Sequence, residues 1–148
     1  MAPLIALVVG TALARLAGLA GVAVLDGWHP ALRVGLALLF LVTGLAHFVG
    51  QRRADLIAMV PPGLPRPDLL VTVTGVLELA GAVGLLIPTT ARLAAAGLGL
   101  LMLAMFPANV SAARRELTLA GRPVTPLGQR TVLQLVFVAT AAAISFGP

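Results

Sequence analysis

The most constraining feature of this sequence is an apolar run of twenty residues, 69–88, in which the only ionisable side chain is Glu78. A run of this length and apolarity matches the roughly 20 residues that an α-helix needs to cross a bilayer. A carboxyl group near the centre of such a span is costly, and by default it marks a functional site. The sequence therefore predicts a membrane helix that carries Glu78 for a functional reason.

The whole chain has the composition of a membrane protein. Hydrophobic residues make up 59% of the 148 positions and charged residues 10%, whereas soluble domains carry roughly 25% charged residues. Five apolar runs follow one another at 4–25, 34–50, 69–88, 93–110 and 131–146. Each is close to the length of a membrane span. We predict an all-α, polytopic transmembrane helix bundle whose main partner is the lipid bilayer.

The distribution of arginine predicts the orientation of the bundle. All ten basic residues are arginines, and seven of them fall in the two loops that follow the second and fourth runs. Two others, Arg33 and Arg92, fall in loops on the other side. Because basic loops are retained in the cytoplasm, we predict an inner-membrane protein with a cytoplasmic N-terminus and an external C-terminus. Arginines used in this way give no reason to predict a nucleic-acid partner.

The connector between the second and third runs is unusual. An amphipathic stretch at 54–60 is followed by four prolines within seven residues. Proline cannot continue a helix and biases the preceding residue to extended geometry. We predict a short interfacial helix that ends in a stiff cytoplasmic segment, with an ordinary connector as the alternative.

Four segments of the chain carry a family resemblance. They are LVTGLAHFVG, ADLIAMVPPGLPRP, VTVTGVLELAGAVGLLIPTTARLAA and LLMLAMFPANVSAA, and they contain Gly-x-x-His-Phe, a proline-rich loop, Gly-x-x-Glu and Phe-Pro-Ala-Asn in that order. In this combination the chain resembles the DoxX-like family of small bacterial membrane proteins. The resemblance implies a four-helix membrane domain at 33–148, a link to quinone-dependent oxidation, and an additional N-terminal transmembrane helix with an external loop at 1–32.

Two buried charges are predicted at the same depth. With a rise of about 1.5 Å per residue, Glu78 lies about 14 Å and Arg15 about 16 Å from the cytoplasmic ends of their runs. An ion pair between them would offset the cost of placing either charge alone in hydrocarbon. The alternative is a protonated Glu78 that is stabilised by hydrogen bonds. Arg15 is thus the predicted charge partner of Glu78.

The helical spacing of the polar residues predicts a site. Small residues flank Glu78 on the third run, and Thr43 and Gly44 accompany His47 on the second, so both stripes are expected to face the bundle interior. Asn109 lies on a methionine-containing face of the fourth run. We predict that Glu78, His47 and Asn109 line one cytoplasm-facing cavity that binds a ligand or carries a proton.

The predicted function is that of an accessory membrane subunit of a redox system, whose cavity binds a quinone or another lipid-like ligand. A buried carboxyl with a nearby imidazole can supply protons to a quinone that is being reduced. The electron carrier would belong to a redox partner protein, so catalysis by the chain alone and catalytic residues are not predicted. The chain has no cysteine, and one histidine with one glutamate is too small a set to predict a metal. No covalent cofactor is expected.

Two other functions remain open from the sequence. One is a small-molecule or proton-coupled transporter, which would also need a buried Glu78 but predicts a discontinuous span. The other is a structural anchor that recruits a soluble partner through the arginine-rich loops. The sequence also leaves open a homo-oligomer.

Overall fold

The computed structural model describes residues 1–119 and 121–147 as a bundle of α-helices joined by short connections. Within this part the chain forms, in order, α1 (Ala2–Leu19), α2 (Trp28–Ala46), α3 (Gly50–Met59), α4 (Pro67–Leu86), α5 (Ala91–Arg114), β1 (Thr118–Leu119), β2 (Arg122–Pro123) and α6 (Leu127–Phe146), with a 3-10 turn at Ala23–Leu25 between α1 and α2. The predicted all-α fold class is confirmed.

The ends of α4 show how the sequence delimits a helix. Pro67 occupies the first turn, where its missing N–H would have no intrahelical acceptor in any case. Asp68 places a negative charge near the positive end of the helix dipole. The helix stops at Leu86, two residues before Pro88. Prolines therefore mark both ends of the helix that carries Glu78.

Four helices close into a ring. Helix α2 packs on α4, α4 on α5, α5 on α6, and α6 on α2, while α1 packs along the outer side of α2. Large aliphatic and aromatic side chains from all four ring helices meet in the core, among them Leu36, Phe40, Leu85, Leu98 and Ile144. The arrangement is a four-helix bundle with one additional N-terminal helix, as the sequence predicts.

Five helices, α1, α2, α4, α5 and α6, are long and apolar enough to cross a membrane. Their outward faces are also apolar, because large hydrophobic side chains such as Leu13, Val76, Leu93, Leu100 and Leu135 are exposed. Soluble monomers rarely expose apolar surface on every side. These outward faces have the character of a surface that contacts lipid.

The bundle has two distinct ends. At one end, which we call the arginine-rich end, Arg115 donates to the carbonyl oxygen of Ala58 at 2.5 Å and thereby ties the end of α5 to α3. At the opposite end, Arg33 donates to the carbonyl oxygen of Leu85 at 2.8 Å and ties the start of α2 to the end of α4. Arginines at both ends thus satisfy carbonyl groups that have no intrahelical partner.

Several elements differ from the sequence predictions. Helix α2 spans Trp28–Ala46 where the predicted run is 34–50, so His47 lies just beyond its end. Helix α1 ends at Leu19 although the apolar run continues to Leu25, because Gly21 adopts a φ of 104° and turns the chain back. The predicted interfacial helix exists but starts earlier, at Gly50. The hairpin of β1 and β2, paired in antiparallel register, was not predicted.

Candidate functional site

A polar seam runs along the contact between α2 and α4, and it contains Thr43, His47 and Glu78. Glycines bring these helices together: a Cβ atom added at Gly75 would lie 2.5 Å from the Cβ of His47, and one added at Gly44 would lie 3.3 Å from the Cβ of Glu78. Side chains of normal size would hold the helices apart. The two small-residue stripes face each other, so Glu78 and His47 are brought to one interface.

Glu78 lies on the buried stripe of α4. The buried positions Val71, Gly75, Glu78, Ala82 and Leu85 recur every three or four residues, which is the spacing of one helical face. Only 3% of Glu78 is exposed. Counted from Pro67, its Cα lies about 16 Å along the helix. The predicted inward orientation of Glu78 is confirmed.

The partner of Glu78 is a hydroxyl group. Thr43 Oγ1 lies 2.5 Å from Glu78 Oε2 and donates to it, while the same hydroxyl is 3.5 Å from the carbonyl oxygen of Phe40 in the preceding turn of α2. A hydroxyl both donates and accepts, so Thr43 can serve either protonation state of the carboxyl group. The Thr43 hydroxyl group is therefore a suitable partner for Glu78 whether or not the carboxyl group carries a proton.

His47 lies one turn after Thr43, immediately beyond the last residue of α2, and is also 3% exposed. Its Nδ1 donates to the carbonyl oxygen of Thr43 at 2.9 Å. In the neutral ring Nε2 is then the acceptor. Burial lowers the pKa of His47, the bond to Thr43 acts in the raising direction, and the positive charge of Arg53 lowers the pKa further. The neutral imidazole is accordingly the favoured form.

Arg53 of α3 closes the seam at the arginine-rich end. It donates to the carbonyl oxygen of His47 at 2.9 Å, to that of Asp68 at 3.2 Å and to Thr72 Oγ1 at 3.0 Å. One guanidinium group thus joins the end of α2 to the first turns of α4. Arg53 and Thr72 were missed by the sequence reasoning, although the position of Arg53 directly after the His47 motif is a usable signal.

The predicted ion pair between Arg15 and Glu78 is not formed. Arg15 instead pairs with Asp26, with 3.0 Å between the guanidinium and carboxylate groups. Because α1 ends at Leu19, Arg15 lies only four residues from the end of its helix, and the chain folds back so that Asp26 reaches it. Gly18 permits this return, since a Cβ atom there would collide with the backbone of Leu25.

Asn109 belongs to a second polar cluster, between α5 and α6. Its Oδ1 accepts a hydrogen bond of 2.6 Å from Arg130, which also donates to the carbonyl oxygen of Thr125 at 3.0 Å. Nearby, Gln134 donates to the carbonyl oxygen of Met102 at 2.7 Å. That bond joins α6 to the part of α5 just before Pro107. Glu78 and His47 thus lie together in the α2–α4 seam, whereas Asn109 lies outside it and is hydrogen-bonded to Arg130 of α6.

An apolar groove of about 490 Å³ runs between α4 and α5. It is lined by Leu77, Ala80 and Gly81 of α4, which are close to Glu78 in the sequence, together with apolar residues of α5. Its lining does not include Glu78, His47 or Asn109. This groove is therefore not the predicted cavity of Glu78, His47 and Asn109.

In the described part of the chain, no group of three or more His, Asp or Glu side chains is arranged to hold a metal ion. The seam presents a carboxyl group, a hydroxyl group and an imidazole, all of which form hydrogen bonds.

A family model described as "Domain of unknown function (DUF8561)" matches residues 36–145. The matched segment begins within α2 and ends within α6, so it includes the seam and the Asn109 cluster and leaves α1 outside. No curated protein and no solved structure matches this chain.

Proposed function

We propose that this chain, which belongs to the family described as "Domain of unknown function (DUF8561)", is a multi-pass inner-membrane protein that binds a quinone-like ligand beside Glu78 and serves as an accessory subunit of a redox system. The observation that carries the proposal is Glu78 itself. It is 3% exposed, far from either end of α4, and its hydrogen-bond partner is the Thr43 hydroxyl group.

A structural role gives a poor account of this residue. A carboxyl group in the middle of a membrane helix costs at least a few kcal/mol. An interhelical hydrogen bond in a membrane returns about 0.6 kcal/mol on average. The Glu78–Thr43 contact therefore does not offset the cost of keeping the acid at this depth. A use of the carboxyl group in the protein's function would explain why the acid is kept at this depth at a net cost in stability.

Quinone carbonyl groups take up protons when the ring is reduced, which matches what the seam offers. The apolar groove between α4 and α5 has the size of a small-molecule site, and it would give a lipid-soluble ligand access to the side of α4 that adjoins Glu78. On this proposal Glu78 exchanges a proton with the ligand, and Nε2 of His47 is a hydrogen-bond acceptor in the site. A partner protein supplies the electrons. The DoxX-like relationship is part of the same proposal, because His47, Glu78 and Asn109 lie in its motifs.

The two alternatives receive less support. A transporter predicts a discontinuous span, but α5 is continuous from Ala91 to Arg114 through Pro107. An anchor that recruits a partner through arginines needs free guanidinium groups, and three of the seven loop arginines, Arg53, Arg115 and Arg130, are engaged with other groups of this chain. Neither the continuity of α5 nor the bonding of these arginines involves Glu78.

Ligand protection tests the proposal. A ligand that binds only the folded state raises the unfolding temperature. We expect a short-chain benzoquinone to stabilise the purified protein in detergent, and Glu78→Gln and His47→Phe to lose most of that shift while retaining the helical circular dichroism signal. Glu116→Gln is the matched control, since Glu116 is exposed in a loop. Absence of stabilisation across a quinone panel, or full protection of Glu78→Gln, would contradict the proposal.

A further inference from the structure

A second groove, on the outer side of the bundle, carries charges that the proposed function does not use. It has a volume of about 530 Å³ and lies between α1 and α2, with Leu7, Val8, Thr11, Ala12 and Leu16 from α1 and Leu32 from α2 along its length. The residues of α1 recur at the spacing of one helix face. From Leu7 to Leu16 the groove follows α1 for about 14 Å. Its width depends on Ala12, whose small side chain is exposed.

The groove ends at a pair of opposite charges. Arg15 and Trp28 line this end, and the guanidinium carbon of Arg15 lies 5.8 Å from the centre of the Trp28 ring. Arg15 also pairs with Asp26 at 3.0 Å, and the Asp26 side chain is 66% exposed. This end lies about 6 Å from the end of α1, at the depth where tryptophan and arginine meet lipid headgroups.

We propose that this groove binds the acyl chain of a zwitterionic aminophospholipid, phosphatidylethanolamine, with its phosphate on Arg15 and its ammonium group on Asp26. The inference rests on the membrane location in the proposed function and is independent of Glu78. The apolar floor matches a hydrocarbon chain, and the Trp28 ring lies at the level of the headgroup. An adjacent cation and anion match a headgroup that carries both charges.

The charges distinguish this lipid from others. An anionic lipid such as phosphatidylglycerol would gain from Arg15 but would meet repulsion from Asp26. Phosphatidylcholine has a quaternary ammonium group, which cannot donate a hydrogen bond to the Asp26 carboxylate. Phosphatidylethanolamine satisfies both side chains, because its ammonium group donates to Asp26 and its phosphate accepts from Arg15.

Native mass spectrometry of the full-length protein, with each of the three lipids added at the same concentration, tests the proposal. We expect the fraction of protein that carries phosphatidylethanolamine to exceed the fractions for the other two by about tenfold, the ratio that corresponds to one charge-assisted hydrogen bond. Asp26→Asn should remove the preference over phosphatidylglycerol and phosphatidylcholine. Ala12→Phe, which fills the groove, should lower retention of all three lipids, whereas Ala139→Phe, at an exposed position of α6 away from this groove, should not.

Equal retention of the three lipids by the wild type would overturn the proposal, and so would unchanged retention in Ala12→Phe. Circular dichroism of each variant shows whether a loss of lipid reflects a loss of fold. Membrane fractionation distinguishes a failure of the proposed function from a failure of the lipid-binding inference. A chain absent from the membrane fraction contradicts the proposed function, whereas a membrane-bound chain without lipid preference contradicts this inference alone.

Discussion

Glu78 shares the α2–α4 seam with the hydroxyl group of Thr43 and the imidazole of His47. Thr43 satisfies one carboxylate oxygen at 2.5 Å without placing a fixed counter-charge beside it. A fixed cation would hold the carboxylate ionised, because an opposite charge nearby favours the charged form. A hydroxyl partner leaves the proton exchangeable, as the proposed function requires.

A double-mutant cycle in the unfolding free energy tests this pairing. We expect Thr43→Val and Glu78→Leu, each of which removes the bond, to couple by about 0.6 kcal/mol, within the range up to about 1.7 kcal/mol for interhelical bonds in membranes. Arg15→Gln and Glu78→Gln should be additive, because Arg15 pairs with Asp26. Chemical denaturation in detergent gives the values. A coupling of Glu78 to Arg15 that exceeds its coupling to Thr43 would contradict the structure.

His47 makes the stability of the fold depend on pH. Burial lowers the pKa of His47 in the folded protein, whereas in the unfolded chain it has the ordinary value of about 6.5. As the pH falls below that value the unfolded state binds the proton first, so the free energy of unfolding decreases. We expect His47→Gln to flatten the loss of stability between neutral and mildly acidic pH. An identical pH dependence in the variant and the wild type would show that His47 does not titrate this way.

At the scale of elements, the seam exists because α2 and α4 approach closely at glycines. Gly75 faces the His47 side chain and Gly44 faces Leu79 and Glu78. The same spacing places a glycine one turn before His47 and before Glu78, since Gly44 and Gly75 each precede them by three positions. These glycines thus bring the two helices into contact where His47 and Glu78 lie.

Alanine substitution separates this packing role from helix propensity. Gly75→Ala places a methyl group 2.5 Å from the His47 Cβ, and we expect it to destabilise the protein by about 1–3 kcal/mol through overpacking. Gly97→Ala on α5 is the matched control, because nothing lies within 4 Å of the added carbon. It should be neutral or stabilising by up to about 1 kcal/mol. Thermal or chemical unfolding measures both, and equal effects would contradict the close-packed seam.

At the scale of elements, the periodicity of apolar residues predicts the features that depend only on the burial of apolar side chains. It placed all five long helices and turned Glu78 and His47 inward, because one face of each helix is lined by small or apolar residues. The periodicity did not predict helix ends that are set by a turn. The apolar run that contains α1 gives no sign that Gly21 reverses the chain, and the resulting error of one and a half turns moved Arg15 from the midplane to the end of its helix. The partners Thr43 and Arg53 depend on tertiary contacts that no spacing within one helix encodes.

At the scale of the whole molecule, the two ends of the bundle differ in charge. The seven arginines of the two predicted cytoplasmic loops gather at one end, with α3 and the β1–β2 hairpin. Arg33, Arg92 and, as the structure places it, Arg15 lie towards the opposite end. The asymmetry still favours a cytoplasmic arginine-rich end. Arg53 closes the seam at that end, and the groove between α1 and α2 lies towards the other end.

Cysteine labelling tests the central claim, that five helices cross the membrane with the arginine-rich end inside. The chain has no cysteine, so single cysteines give signal without background. Val24 and Phe146 are 81% and 90% exposed at the opposite end, and Gly63 is exposed in the loop between α3 and α4. With a membrane-impermeant maleimide on intact cells, we predict labelling of Val24→Cys and Phe146→Cys, and labelling of Gly63→Cys only after lysis. Labelling of Gly63→Cys in intact cells together with either of the other two would contradict the five-span bundle.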